Sequence, residues 1–201
     1  YYLSNNSQLI NKASNNNRLD IENSENSSIT NNSSLNVIDD WTAINAHEIE
    51  NSQIINNGNI NILGDSSNDV NINGIDVLNL VNSRVENKGN IISNLNSDAT
   101  VNGIVVRDAK DSSIKNTGTI NLKATGDDLY LQGIHLDGYF ASQNSTLANF
   151  NNSEIINDKD IFVSSKGKLV SSYGITSYDF NINDSQIINN GKISVKAEGV
   201  Y

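Results

Sequence analysis

The sequence contains no cysteine, no proline and no methionine. Because cysteine is absent, disulfide bonds are excluded, and packing and hydrogen bonds must stabilise the fold even in an oxidising compartment. The absence of proline favours uninterrupted β-ladders, since proline cannot donate a ladder hydrogen bond. With no methionine, and no charged and apolar leader before Tyr1, we expect a mature or excised segment whose targeting signals lie elsewhere.

Basic residues are also scarce. Thirteen Lys and Arg against 23 Asp and Glu give a net charge of -10, and the basic residues are spread thinly along the chain. This pattern argues against charge-driven binding to nucleic acid or to an anionic membrane surface. No apolar run approaches the roughly 20 residues that a membrane-spanning helix needs, so we expect no direct membrane insertion by this segment.

Seven related units recur along the 201 residues. Each begins with Asn or Asp followed by Ser, has an aliphatic residue two positions after the Ser, and has Asn four positions after it. The Ser residues are Ser7, Ser27, Ser52, Ser83, Ser112, Ser153 and Ser185, and the Asn residues are Asn11, Asn31, Asn56, Asn87, Asn116, Asn157 and Asn189. Self-similarity with a period near 30 residues is the signature of a solenoid, in which stacked units share one core.

Two further apolar segments complete each unit. An alternating run such as Ile60 and Ile62 follows the Asn, and a Gly-Ile-x-Val segment such as Gly74 to Val77 comes next. Apolar spacing with a period of two disfavours a helical solenoid. We therefore predict an all-β fold: a right-handed parallel β-helix, or β-solenoid, with about seven coils of roughly 30 residues and three short strands per coil. Residues 1–201 would form one β-helix segment of a longer repeat chain, with the longest side insertion at about 137–151.

The repeated Asn is predicted to build a structural ladder. We expect it to occupy the corner between the first and second strands in a left-handed conformation, with its amide bonded to the same Asn one coil above and below. The Gly two residues later, as in Gly58 and Gly89, would relieve backbone crowding. Ile54, Ile60 and Ile75 are predicted to point into the shared interior.

Units of the form S-x-I-x-N-x-G-x-I-x-V, followed by Gly-Ile-x-Val, resemble the passenger regions of bacterial autotransporters, the type V secreted surface proteins. The resemblance extends from about residue 5 to the end and concerns the style of the repeat. It implies a right-handed parallel β-helix that is extracellular, on the bacterial cell surface, and anchored through another part of the protein. Many such passengers are adhesins, while others carry toxin, protease or aggregation activity on added domains or loops.

The candidates for catalysis are few. Parallel β-helices also include polysaccharide lyases and hydrolases, which need convergent carboxylates, and the sequence offers three acidic pairs: Asp65 with Asp69, Asp127 with Asp128, and Asp158 with Asp160. All lie in predicted turns, where Asp is common for structural reasons. The two histidines, His47 and His135, lie in different units without metal-ligand spacing. We expect no catalytic residue and no cofactor, with Ca²⁺ at the acidic turns as a minor alternative.

The 41-residue interval between Ser112 and Ser153 is the main irregularity. Tyr139, Phe140 and Phe150 in it are candidates for an exposed aromatic binding loop. The alternative, which we favour, is that the segment packs over the coil and buries these rings, because exposed aromatics are costly. Trp41 is likewise either a core residue or a surface anchor.

Three functions compete on this evidence. The leading hypothesis is a non-catalytic extracellular stalk or passenger that supports adhesion to a host-cell or bacterial receptor or glycan. The second is a structural protein that self-associates through its coil ends into a surface layer or filament, since an uncovered sheet edge invites pairing. The third is a polysaccharide-acting enzyme, which would require the acidic pairs to converge in one cleft.

Overall fold

The chain folds as an all-β parallel β-helix, as predicted. The computed structural model describes residues 1–4, 6–12, 18–38, 42–63, 70–138 and 148–199, and these residues form 24 strands and no helix. The strands pair in parallel with the equivalent strands of neighbouring coils. Three sheets, here called A, B and C, run along the axis. The chain passes through them in the order B, C and A before it enters the next coil. Among the described residues, no helix has the length and apolarity required to cross a membrane.

Sheet B carries the Ser-x-aliphatic-x-Asn motif, and sheet C carries the second apolar run. The seven strands of sheet B are β2 (Gln8–Asn11), β5 (Ser28–Asn31), β8 (Gln53–Asn56), β11 (Arg84–Asn87), β15 (Ser113–Asn116), β19 (Glu154–Asn157) and β23 (Gln186–Asn189). The six strands of sheet C are β6 (Leu35–Val37), β9 (Ile60–Ile62), β12 (Ile91–Ser93), β16 (Ile120–Thr125), β20 (Ile161–Gly167) and β24 (Ile193–Gly199).

Sheet A contains the Gly-Ile segments and has 11 strands. They are β1 (Tyr2–Leu3), β3 (Leu19–Ile21), β4 (Asn23–Glu25), β7 (Thr42–Glu50), β10 (Val70–Val81), β13 (Ala99–Val106), β14 (Ala109–Lys110), β17 (Asp128–Asp137), β18 (Ala148–Asn151), β21 (Leu169–Tyr178) and β22 (Phe180–Asn183). The coil of β8, β9 and β10 has the predicted three strands, but the strands of sheet A are longer than the short strands predicted, since β10 reaches 12 residues. Inward residues continue on both sides of the Gly-Ile segment, as Ile72 and Leu80 show by their full burial, and so the strand continues with them.

One apolar core fills the space between the three sheets. Ile54 of sheet B, Ile60 of sheet C and Ile75 of sheet A are each at most 1% exposed, as the period-two pattern predicted. The core is continuous from coil to coil because the register pairs each of these residues with an equivalent one, for example Ile60 with Ile91. Burial of this kind stabilises the fold by roughly 25 cal/mol per Å² of apolar surface removed from water.

The repeated Asn residues form a hydrogen-bonded column inside the helix, here called the inner amide ladder. Asn56 Nδ2 donates to Asn87 Oδ1 of the next coil at 2.7 Å and to the carbonyl oxygen of Gly58 at 2.7 Å. Equivalent side-chain bonds of 2.7 to 2.8 Å link Asn11, Asn31, Asn56, Asn87, Asn116, Asn157 and Asn189 in sequence. The amide of one coil therefore fixes the register of the next.

The left-handed conformation lies at a different corner from the predicted one. No ladder Asn has a positive φ among the described residues. The Asn or Asp before each Ser has one instead, as at Asn51 (48°) and Asp111 (51°), and so do Glu48, Asn79 and Asp179. The ladder Asn ends an extended strand that pairs on both sides, which holds it in the β region. The residues before each Ser lie at the corner from sheet A to sheet B, and Asn and Asp tolerate the left-handed region there.

The Gly two residues after the ladder Asn is needed for close approach between coils. A Cβ atom on Gly89 would lie 1.9 Å from the carbonyl oxygen of Gly58 in the coil below, a separation that only a shift of the backbone would relieve. The predicted role of this Gly in backbone crowding is therefore supported by the geometry.

Candidate functional site

The outer face of sheet A carries a cluster of polar and aromatic side chains that sequence reasoning did not assemble. The register places Asn73, Asn102, Gln132 and Tyr173 side by side on four successive coils. We call these four residues the outer row. A second row lies three residues later on the same strands and contains Asp76, Val105, His135 and Thr176.

A break in the strand alternation brings the two rows together. Asn73 faces outward and Ile75 belongs to the core, with Gly74 between them, and Asp76 then faces outward again. The irregularity draws Asn73 towards Asp76, and its Nδ2 donates to Asp76 Oδ2 at 2.9 Å. The position is crowded in the coil of Gln132, where a Cβ on Gly133 would lie 2.4 Å from the carbonyl oxygen of Gly174. Outward side chains are buried at this face, among them Asp76, Asn102 and Gln132.

Arg107 forms ion pairs with two carboxylates at this face. Its Nε and Nη2 donate to the two carboxylate oxygens of Asp76 at 2.9 and 3.0 Å, and its Nη1 donates to Asp137 Oδ2. Burial by itself would lower the pKa of Arg107, but its hydrogen bonds and charge contacts with both Asp residues outweigh burial and raise that pKa. A carboxylate pair bound this way is not free to ligate a cation or to act as a base.

Three buried polar atoms of the same face have no hydrogen-bond partner. They are Asn102 Oδ1, Gln132 Oε1 and His135 Nε2. Desolvation lowers the pKa of His135, with Asp137 opposing and Arg107 reinforcing the shift, so the imidazole is neutral at pH 7. Unpaired buried polar groups are rare in native proteins and call for an explanation.

Two tyrosines stand beside these atoms. The ring centroids of Tyr130 and Tyr173 are 5.8 Å apart with an interplanar angle of 56°, and the two residues are 39% and 41% exposed. Tyr130 also lines an open cavity of about 310 Å³, together with Asn71, Thr100 and Asp128. Burial, with smaller contributions from Tyr173 and Asp137, raises the pKa of Tyr130, so its hydroxyl stays protonated at neutral pH.

A second concavity follows the corner from sheet A to sheet B along the whole stack. It is an open groove of about 1190 Å³ lined by the Asn or Asp, the Ser and the following residue of all seven units. Its Ser residues form a second column, since the backbone N–H of Ser52 donates to Ser83 Oγ and that of Ser83 to Ser112 Oγ. The lining is thus engaged in holding the coils together.

The one candidate of the aromatic binding loop that the structure describes is buried, not exposed. Tyr139, Phe140 and Trp41 lie outside the described residues. Phe150 is fully buried in β18, with its ring centroid 6.4 Å from that of Phe180, so it cannot serve as a surface binding anchor. Of the predicted insertion at 137–151, residues 148–151 form β18, which pairs in parallel with β14 and β22.

The acidic candidates do not converge within the described part of the chain. Asp127 and Asp128 lie at the turn from sheet C to sheet A, whereas Asp158 and Asp160 lie between sheets B and C. Asp158 Oδ2 pairs with Lys115 Nζ at 3.0 Å. Asp65 and Asp69 are outside the described residues, and within those described no group of three or more His, Cys, Asp or Glu side chains could hold a metal ion.

One feature of the sequence does indicate the outer row. The residue before Gly in the Gly-Ile segment changes from Asn73 and Asn102 to Gln132 and then Tyr173. The residue after that Gly, by contrast, is Ile in all four coils: Ile75, Ile104, Ile134 and Ile175. A position that varies inside an otherwise uniform repeat is a candidate for function.

Comparison with known proteins identifies the family of this fold. The model of the BigA third pectate lyase-like domain matches residues 2–200, nearly the whole chain. No curated protein and no solved structure shows significant similarity to the chain. The match agrees with the stacked parallel sheets described above, and the chain belongs to the BigA third pectate lyase-like domain family.

Proposed function

We propose that the chain is a non-catalytic, β-helical segment of a bacterial surface protein, of the autotransporter passenger type, that supports adhesion to host cells, glycans or other bacteria. The observation that carries the proposal is the continuity of the inner amide ladder from Asn11 to Asn189. Seven coils stacked at about 4.8 Å make a rigid rod roughly 34 Å long, which suits a stalk that holds a binding surface away from the cell. Membership in the BigA family supports a bacterial surface location.

The proposal that the segment is non-catalytic is supported by the arrangement of its carboxylates. The two acidic pairs that the structure describes lie at different corners, and Arg107 engages Asp76 and Asp137. A general acid or base has to be within hydrogen-bond reach of the reacting group and free to exchange a proton. Adhesion does not require a free acid or base, whereas hydrolysis and elimination do, and adhesion is therefore the simpler account of the outer face.

Adhesion is tested with the intact parent protein on the surface of its own bacterium. Attachment to cultured host cells, to glycan-coated surfaces and to sister cells is compared between wild-type bacteria and a strain in which residues 1–201 are deleted in frame. We expect the deletion to reduce attachment to at least one of these surfaces, with surface exposure of the remaining protein checked by antibody labelling. Equal attachment of both strains to all three would overturn the proposal.

Self-assembly is the second candidate, and one observation favours it. Ile187, Ile193 and Val195 of the last described coil are 37% to 43% exposed, although their equivalents in earlier coils are buried. Any coil that follows, whether from the same chain or from a second copy, would cover them. Sedimentation of the full-length parent over a wide concentration range distinguishes the two, because a protein that stays monomeric at high concentration does not build a layer or filament.

A further inference from the structure

We propose that the outer face of sheet A binds a neutral saccharide at a site formed by Tyr130, Gln132 and Tyr173, with Asn102 and His135 at its base. The inference rests on the proposed adhesive function and names the ligand class that one part of the rod would take. The five residues come from three neighbouring strands, β13, β17 and β21. Their placement in adjacent rows makes one continuous surface.

The unpaired atoms define what the ligand must supply. Asn102 Oδ1 and Gln132 Oε1 are acceptors only, so each needs a donor, while a neutral imidazole nitrogen such as His135 Nε2 pairs with either. Sugar hydroxyls both donate and accept. Leaving such a group unpaired lowers stability, and a ligand hydroxyl that pairs with it recovers that loss. A site with unpaired acceptors also discriminates strongly against an analogue that lacks the hydroxyl.

The tyrosine pair supplies the apolar component. Tyr130 and Tyr173 present tilted rings 5.8 Å apart, and such rigid, amphipathic side chains are common anchors in binding sites. The two rings flank Gln132, because Tyr130 lies two residues earlier on the same strand and Tyr173 is its register partner. Gln132 is 1% exposed whereas both rings are partly exposed, so a rotamer change of one ring opens the amide to a ligand.

Charge selects a neutral ligand over an acidic one. The guanidinium of Arg107, which lies at this site, is taken up by Asp76 and Asp137, and Asp128 lines the cavity beside Tyr130. A uronate or sialylated sugar would bring a carboxylate, an acceptor without a donor, towards acceptors and negative charge. Neutral hexoses and N-acetylhexosamines avoid this conflict.

The two aromatic residues of the site occur in only two of its three coils, which separates them from the repeated framework. At the outer row, the equivalents of Gln132 and Tyr173 in earlier coils are Asn102 and Asn73. At the position of Tyr130, the coil before has Thr100 and the coil after has Ser171. The aromatic residues are therefore not part of the repeat that builds the rod.

Binding is tested on the full-length parent protein with a panel of neutral oligosaccharides built from hexoses and N-acetylhexosamines, and with an oligouronate of equal length as the acidic comparison. Calorimetric titration follows on any panel member that binds. We expect Tyr130→Ala and Tyr173→Ala each to weaken binding at least tenfold, and Gln132→Leu to weaken it without loss of stability. Tyr2→Ala is the matched control, since Tyr2 is 80% exposed on the first strand, far from the site.

Three outcomes would overturn the inference: no neutral member binds, the oligouronate binds more tightly, or both tyrosine variants bind as the wild type does. Unfolding curves of each variant show whether lost binding reflects lost structure. The adhesion assay, run in parallel with the same variants, separates this inference from the proposed function. Bacteria that attach normally, when the tyrosine variants bind saccharide as the wild type does, would retain the adhesive role while the saccharide site is refuted.

Discussion

Side-chain amides form two columns across the coils, the inner amide ladder and the outer row, and they differ in how fully they are hydrogen-bonded. In the ladder, Asn56 and Asn87 each donate to the next coil and to a nearby carbonyl oxygen. In the outer row, Asn102 Nδ2 donates to Asn73 Oδ1, but Asn102 Oδ1 and Gln132 Oε1 have no partner.

The difference follows from repetition. A ladder of identical residues pairs each amide with a copy of itself, so that one geometry satisfies every coil. The outer row changes from Asn to Gln to Tyr within three coils, and no single pairing geometry survives the change. Because unpaired buried amides lower stability, the outer row is explained better by binding than by folding, and substitutions in the two columns test that explanation.

The largest effect is expected inside the ladder. Asn56→Ala removes an acceptor from Asn31 Nδ2 and donors from Asn87 Oδ1 and the carbonyl of Gly58. At about 1–3 kcal/mol for each buried group left unpaired, the free energy of unfolding should fall by roughly 4 kcal/mol. Urea unfolding followed by circular dichroism measures the loss.

The chain provides a matched control one residue away. Asn57 Nδ2 donates to Asn32 Oδ1 at 2.7 Å, the same bond between the same groups, but on the exposed surface. Asn57→Ala should change the free energy of unfolding by no more than about 0.5 kcal/mol. Similar losses for Asn56→Ala and Asn57→Ala would show that burial does not determine how much a ladder hydrogen bond contributes to the free energy of unfolding.

The ladder and the core were predictable from the sequence, whereas the outer site was not. Asn56 and Ile54 hold fixed positions in a repeat, and a period of two assigns Ile54 to the interior. The same rule places Gln132 on the solvent side, and it is in fact 1% exposed. Its burial depends on the broken alternation at Gly133 and on neighbours in other coils, which no local pattern contains.

The second largest loss of stability is expected when the ion pairs of Arg107 on the outer face are broken. Arg107→Met leaves Asp76 and Asp137 without their counter-ion at sites where the side chains are 8% and 14% exposed. The expected loss is roughly 3 kcal/mol, near the low end for breaking a buried ion pair. Arg107→Lys should fall between, because it keeps the charge and loses the bidentate geometry.

Arg84→Met is the control for Arg107→Met. Arg84 is 50% exposed, and its Nη2 lies 3.9 Å from Glu86 Oε2, so its removal should cost under about 1 kcal/mol. If both Met variants unfold at the same denaturant concentration, the Arg107 network does not hold the outer face together.

A smaller effect of opposite sign is expected at Gln132. Its Oε1 has no partner, and its Nε2 makes a single contact of 3.5 Å with Tyr130 Oη. Gln132→Leu therefore removes an unsatisfied atom, and the free energy of unfolding should stay constant or rise by about 1 kcal/mol. Asn102→Leu, which deprives Asn73 Oδ1 of its donor, should instead lower it by about 1 kcal/mol. A loss above 2 kcal/mol for Gln132→Leu would mean that its amide is satisfied in solution.

The smallest effect concerns the pH dependence contributed by His135. Burial lowers the pKa of its imidazole in the folded chain below the value of about 6.5 expected when unfolded. Between these two values the unfolded chain binds more protons, so the contribution of His135 to stability is complete above pH 6.5 and is lost as the pH falls towards the folded pKa.

The variant His135→Gln removes this titration. The free energy of unfolding of the wild type should therefore fall relative to that of the variant as the pH is lowered from 7.5 to 5.5. A saccharide that pairs with Nε2 should shift this pH dependence in the wild type and leave the variant unchanged, which ties the unpaired imidazole of the outer face to the site proposed there. A wild type that keeps a constant advantage over the variant across this range would show that His135 is hydrated when the chain is folded.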